Sequence, residues 1–518
     1  MGKDTVLALA VLALANAMLG QDLAALNVAL PSIERDLNVD LTTAQWVVNA
    51  YLLIYGVIIV TAARLADEVG RRRVFLVGAG VFAATSLLAG FAPGIGWLIA
   101  ARALMGIGAG LMLPAITGMS YAVVPRDKAA RAGAIVIGGY GVGMALGPIV
   151  GGALTEFVGW RWIHFLNIPF AILLMLGVRG LIPAEATPSS RVTIDYRGIV
   201  VFSAGVAALL FALDQVTDWG WGDWRILASL LLAALLMAAF PFLERRAGGT
   251  ALVPRDIIRN PGIAIACATR ALMAPAYAAT VLYLPQIMQK LMYLSPLEAG
   301  IGMLPMLGAY AVVSFLVGAF AAKLDPRLGA IVGLAALAAG PFFMAQFDVA
   351  AGYTSLVLGM ALFGIGLGLY MPSITTEAVQ ADDRDRKSLA SGLTLMAQFV
   401  GGAIGLGITT TIVASSEQAA VNAHLAAAGA DLTEADRGAL QSVLTGAESA
   451  QQVVAQFDPA MAQELLDIAA EAFAAGVRSG FRLDAAIAAI GFLAALLLLR
   501  VARRDQRAAV AAAPHGSR

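Results

Sequence analysis

Asp22 lies in a mostly apolar run from Ala8 to Leu30, and Arg102 lies in a second from Leu98 to Leu113. A charged side chain at the middle of a bilayer costs about 2.5–3.5 kcal/mol on insertion scales, so intramembrane acids are functional by default. A carboxyl group at that depth suits a site that binds and releases a proton. A guanidinium does not deprotonate in a protein, so Arg102 is expected to tune a nearby carboxylate or hold a chain of waters. The alternatives are an Asp22 hydrogen-bonded near the outer interface and an Arg102 in a purely structural ion pair. A third group is Asp67, Gly70, Arg71 and Arg72, between two apolar runs. A fourth stretch holds Gly143, Gly147, Pro148, Gly151 and Gly152. In water each such glycine costs a helix roughly 1 kcal/mol against alanine. In a membrane the same glycines let helix backbones approach closely, which predicts a tightly packed helix that can bend at Pro148.

The elements that carry these residues follow from composition. The chain has 518 residues, 60% of them hydrophobic and 13% charged, with a mean hydropathy of +0.81. Soluble domains carry about 25% charged residues, so this is an all-α polytopic membrane protein set in a lipid bilayer. Net charge is zero, which argues against a nucleic-acid partner. Cys267 is the one cysteine and there are three histidines, so neither a disulfide nor a metal centre is expected. His164, His424 and His515 offer no nucleophile–base constellation at depth, so no catalytic site and no enzyme is expected. The first apolar run is too long for a signal peptide's core and reads as a retained span.

Runs of about 20 apolar residues predict about fourteen spans. Lys and Arg concentrate in alternate loops, so both termini are expected in the cytoplasm, in a cytoplasmic (inner or plasma) membrane. The tryptophans fall at the outer ends of spans, as interfacial anchors do. Leu98–Pro114 repeats as Leu356–Pro372, and Leu30-Pro31 as Leu284-Pro285. Spans 1–6 thus map onto spans 9–14. The expected units are a six-helix bundle over 1–182, a cytoplasmic linker over 183–196 and an inserted helix pair over 197–243. Helices 9–13 of the second bundle follow over 244–413, an extracytoplasmic loop with helices over 414–480, helix 14 over 481–504 and a disordered tail over 505–518. Met360 stands where Arg102 stands in the first half, and Gly143 aligns with Gly402, which sets Gly147-Pro148 against Leu406-Gly407. Charge and bend therefore sit in the first half, which is expected to couple ions while the second shapes the solute wall. Glu377 and Asp484 are expected at interfaces, and Arg270 in the cavity or in an ion pair.

These motifs together resemble the fourteen-span drug:proton antiporter branch of the major facilitator superfamily. Asp22, Asn27 and Ala29-Leu30-Pro31 are similar to its first-span motif, with Ala24 in place of the usual Thr. Leu98, Arg102, Gly106 and Gly108 match its fourth-span motif, and Gly143, Gly147, Pro148, Gly151 and Gly152 its fifth-span antiporter motif. Asp67, Gly70, Arg71 and Arg72 match its cytoplasmic loop motif, where Ala63 and Glu68 depart from the pattern. Trp160 to Pro169 is similar to the start of its sixth span.

The resemblance implies the major facilitator fold, two six-helix bundles plus an inserted helix pair. It also implies export of amphipathic, hydrophobic or cationic drugs in exchange for protons. No cofactor is implied beyond the proton gradient, and a monomer is expected. Asp22 and Arg102 would couple the proton, and Asp67 with its arginines would latch the cytoplasmic side. Asn27, Tyr140, Arg270, Tyr277, Gln398 and Phe399 would line the substrate cavity. A dedicated exporter of one endogenous antibiotic, lipid or metabolite remains an alternative, as does, less favoured by Gly147-Pro148, a proton-coupled uptake symporter.

Overall fold

The computed structural model describes residues 2–39, 41–183, 195–247, 252–320, 325–381, 386–428 and 459–512, and all regular structure among them is helical. The first half holds α1 (Lys3–Leu37), α2 (Leu41–Val69), α3 (Arg71–Gly90), α4 (Ile95–Ala122), α5 (Ala129–Phe157) and α6 (Arg161–Leu181). Next come α7 (Tyr196–Trp219), α8 (Trp224–Ala247) and the short α9 (Arg255–Ile258). The second half holds α10 (Pro261–Lys290), α11 (Pro296–Gly302), α12 (Leu304–Ala319), α13 (Pro326–Met344), α14 (Thr354–Gln380), α15 (Lys387–Ala428) and α16 (Pro459–Ala512). Helix starts follow local chemistry. Asn260 accepts from the backbone of Gly262 and Ile263 ahead of α10, with Pro261 at the first helical position. Ser295 and Glu298 close a capping box on α11.

Among the described residues 13 helices are long and apolar enough to cross a membrane, and Leu304–Ala319 is a shorter apolar one. The predicted tenth span is thus two helices, α11 and α12, meeting at Met303. Pro305 lacks the N–H that would continue the ladder through that turn.

The two halves pack alike. In the first, α1 packs on α5 and α6, α2 on α4, and α3 on α4 and α6; in the second, α10 packs on α15 and α16, α12 on α14, and α13 on α14 and α16. Helices α7 and α8 pack on each other, with α7 against α2 and α15. The seam between the halves is made by α5 against α12 and α14, and by α15 against α2 and α4.

Two expectations change. The predicted outer loop from 414 begins as a continuation of α15 to Ala428, and α16 runs unbroken from Pro459; its middle, 429–458, lies outside the described residues, as do 184–194 of the predicted linker. The predicted disordered tail is helical to Ala512, because 501–512 are rich in Ala and Arg and free of Gly and Pro; residues 513–518 lie outside the description. Helix α5 continues through Pro148 as the expected tightly packed helix.

Candidate functional site

The first half is organised around one contact. Arg102 on α4 reaches Asp22 on α1 with Nη1 2.7 Å from Oδ2, and neither side chain is exposed. The second carboxylate oxygen accepts from Asn167 Nδ2 on α6 at 2.6 Å. Arg102 Nε donates to the Val47 carbonyl of α2 at 3.2 Å, and its guanidinium lies 4.3 Å from the Tyr51 ring centre. Ser86 Oγ on α3 sits 3.4 Å from Asn167. Five helices thus converge on one carboxylate and one guanidinium. Arg102 Nη2, Asn167 Oδ1 and Gln21 Nε2 remain buried without a partner, which is unusual for interior polar atoms.

His164, close to the start of α6, is fully buried, edge-on to Trp160 and within electrostatic reach of Arg102 and Asp22. Neither ring nitrogen has a partner. Asn167, Ser86, Tyr51 and His164 were all missed as members of this site. Only the Trp160–Pro169 motif, which contains two of them, signalled it.

The glycine stretch explains how α1 is held. A Cβ at Gly143 would fall on the Ala17 carbonyl oxygen, one at Gly147 on the Ala24 methyl, and one at Gly151 2.5 Å from the Ala25 oxygen. Backbone-to-backbone packing along α5 thereby fixes the segment of α1 that carries Asp22. Pro148 and Gly152 face α11: a Cβ at Gly300 would meet Pro148 at 2.5 Å, and one at Gly152 would meet Leu297 at 3.3 Å.

The second half repeats this seam one residue away from the predicted register. A Cβ at Gly401 would fall on the Ala271 carbonyl oxygen, the role Gly143 plays against Ala17, whereas Gly402 has its nearest neighbours at 3.7 Å. Gly147 therefore corresponds to Gly405, while Pro148, Gly151 and Gly152 fall opposite Leu406, Thr409 and Thr410. A proline does enter this seam, but from the partner helix, where Pro275 of α10 faces Gly405. Bend-prone residues are not confined to the first half.

The loop motif ties the halves together at the end of the bundle that carries the arginine-rich loops, the basic end. Asp67 accepts from the backbone of Ser388 at 3.2 Å and Leu389 at 2.8 Å, capping the start of α15. Arg71 pairs with Asp67 at 2.9 Å and donates to Ser388 Oγ at 3.2 Å. Gly70 adopts φ 110°, where a side chain would strain the backbone. Arg72 donates to the Arg179 carbonyl at 2.7 Å. The departing residue Glu68 pairs with Arg64 at 2.7 Å and leaves the contact across the halves intact.

The predicted cavity residues divide. Phe399 packs edge-on against Tyr55 with ring centres 5.1 Å apart. Tyr140 and Tyr277 lie within reach of each other and of Tyr55, and Gln398 has a buried, unpartnered Oε1. Asn27 is not brought in: it is exposed and donates to Leu23 of its own helix at 3.1 Å. Arg270 is buried with no carboxylate partner among the described residues. Glu377 is part-exposed and pairs with Arg327 at 3.3 Å. Asp484 is not interfacial but fully buried, accepting from Thr409 at 2.8 Å. Among the described residues no group of three or more His, Cys, Asp or Glu could hold a metal.

The family profile described as Major Facilitator Superfamily matches residues 12–406. The chain is 31% identical to the tetracenomycin C resistance and export protein of Streptomyces glaucescens, over 77% of this chain and 74% of that one. It is 30% identical to the multidrug resistance protein Stp of Mycobacterium tuberculosis (strain ATCC 25618 / H37Rv), over 95% and 92%. Its fold is similar to the human organic anion transporter MFSD10, with a TM-score of 0.61 at 13% identity over 96% of this chain and 100% of that one. The chain belongs to the major facilitator superfamily and is a multi-pass efflux transporter rather than an enzyme.

Proposed function

We propose that the chain exports amphipathic, hydrophobic compounds across the cytoplasmic membrane in exchange for protons, by alternating access, with both termini in the cytoplasm and a monomer as the working unit. The observation that carries this is the buried Asp22–Arg102 pair with Asn167 on its second oxygen. Protonating Asp22 takes the counter-charge from Arg102 and leaves a buried guanidinium uncompensated, a state worth several kcal/mol. Arg102 must then rearrange, and it also holds Val47 of α2. The same helix ends at Asp67, which caps α15 across the seam. One rigid element therefore joins the proton site to the cytoplasmic latch. Tyr55, Tyr140, Tyr277, Gln398 and Phe399, between the two, supply an aromatic wall with few polar groups for the substrate.

The test is substrate-induced proton movement in inside-out vesicles, wild type against Asp22→Asn, with a set of hydrophobic cations and neutral compounds. Coupling predicts a pH response that Asp22→Asn abolishes; a response of full size in the variant overturns the assignment of Asp22. A second reading, a dedicated exporter of one product, is supported by a relative named for tetracenomycin C export. Competition among chemically unrelated substrates separates it from multidrug export.

A further inference from the structure

Arg270 lies on α10, which packs on the seam helices α14 and α15, and is only 4% exposed. Its Nη1 donates to Thr394 Oγ1 at 2.9 Å and its Nη2 meets Met371 Sδ at 3.2 Å. Its Nε is buried with no partner. The titratable groups within its electrostatic reach are Tyr370, Tyr310, Cys267 and Tyr121, all neutral at physiological pH, and none is a carboxylate. A buried charge is ordinarily paired, and a guanidinium presents a planar fork that matches a carboxylate. The site thus holds a cation and hydrogen-bond donors and lacks the anion.

Two of its neighbours say when the anion would enter. Tyr310 on α12 donates to the Ile137 carbonyl of α5 at 3.2 Å, and Tyr121 on α4 shares a hydrogen bond of 3.0 Å with Thr376 of α14. Both contacts cross from one half to the other. Opening the cytoplasmic side must break them, which frees two phenols within electrostatic reach of Arg270.

We infer that Arg270 is the recognition site for an acidic group, a carboxylate or phenolate, on an aromatic substrate that enters from the cytoplasm. This rests on the export reading and narrows its substrate class to amphipathic anions. Exporting a monoanion against one entering proton moves two charges in the direction the membrane potential favours. Exporting a monocation moves none.

The experiment is equilibrium binding of anthracene-9-carboxylate and of its neutral isostere anthracene-9-carboxamide to the purified full chain in nanodiscs. Charge-assisted hydrogen bonds predict that wild type favours the acid by about ten- to a hundredfold. Arg270→Gln is expected to bring that ratio to near one, and Arg270→Lys, which keeps the charge but not the fork, to leave it between the two. A wild-type ratio near one, or no binding of the acid, overturns the inference without need of any variant, as does a ratio unchanged in a folded Arg270→Gln. Export itself is read separately by the vesicle assay, with anthracene-9-carboxylate added to the cations and neutral compounds. Flux with a wild-type ratio near one sinks this inference alone, and a high ratio without flux sinks the export reading alone.

Discussion

Asp22 and Arg102 meet in the first half, while the repeat sets Ala276 and Met360 in their places in the second. Conversely, the position of Arg270 is Asn16 in the first half, a neutral side chain whose amide donates to Val136 of α5 at 2.8 Å. Both halves pack α1 on α5, or α10 on α15, through glycines seated on carbonyl oxygens. The packing plan was duplicated and the charges were not. At depth, the first half keeps its charge paired. The second keeps Arg270 with no acid and Asp484 with Thr409 as its one partner and Oδ2 unpartnered. A paired charge can be switched by a proton, because protonation strands the partner. An unpaired cation is already waiting for an anion. Under the proposed antiport, the proton-coupling pair belongs to the first half alone and the unpaired cation for the solute to the second.

The largest expected effect comes from breaking the pair. Arg102→Met strands Asp22 in the interior, which costs about 3–5 kcal/mol where a buried pair loses one partner. Thermal unfolding in detergent should show it as a strong loss of stability. The double variant Asp22→Asn with Arg102→Met strands nothing and should recover most of that loss, while proton coupling stays absent. Arg270→Met removes a cation without orphaning an acid, so its stability cost should be far smaller. If Arg270→Met proves as destabilising as Arg102→Met, the contrast between the halves fails.

The register of the glycine seam gives the next effect. Gly143→Ala and Gly401→Ala both place a methyl against a backbone oxygen that cannot turn aside. Overpacking of this kind costs about 1–3 kcal/mol. Gly402→Ala, one position along, meets nothing closer than 3.7 Å and should be nearly silent. Melting of the three variants side by side checks the register directly. A severe Gly402→Ala with a mild Gly401→Ala would restore the alignment read from sequence.

That one-residue error shows what the sequence carried and what it did not. The family, the helical repeat and the identities of Asp22, Arg102, Asp67 and Arg71 were legible, because a charge inside an apolar run is conspicuous. The contact between Asp22 and Arg102 was not, since the chain separates them by 80 residues and only packing brings them together. Asn167, Ser86 and Tyr51 were invisible for a different reason: small polar and aromatic residues are ordinary in membrane helices, and only their convergence on one carboxylate marks them. His164 was passed over because burial cannot be read from position along a helix. The break at Met303 was not read from sequence, because Pro305 stands inside a continuous apolar run.

The latch predicts a smaller, conformational effect. Asp67→Ala removes the cap of α15 and the partner of Arg71, in a seam that joins the halves. A lost helix cap costs about 0.5–2 kcal/mol. Because the contact joins the two halves at the basic end, under the proposed alternating access that cost falls on the closed state and should move the population several-fold toward the open one. Spin-label distances between the basic ends of α2 and α15 should lengthen. An unchanged distance distribution would mean that the latch follows the motion without biasing it.

The smallest effect lies at the opposite end, outside the spans, and tests whether charge pairs matter equally wherever they sit. Asp36 accepts from Arg161 and from Trp160 Nε1, tying the end of α1 to the start of α6. Its hydrogen bond to Arg161 holds the carboxyl below the usual aspartate value of 3.8. A carboxylate whose folded value is depressed stabilises the fold fully above the unfolded value and loses that contribution as pH falls through the folded one. The window therefore lies below about pH 4. Both side chains are well exposed, so water screens the pair and the loss should stay under about 1 kcal/mol. Asp36→Asn should leave transport at neutral pH as in wild type and flatten only this acid limb of the stability profile. A transport defect at neutral pH would give the pair a part in the cycle, and the contrast would then run between a bundle that carries two working charge pairs and one that carries none.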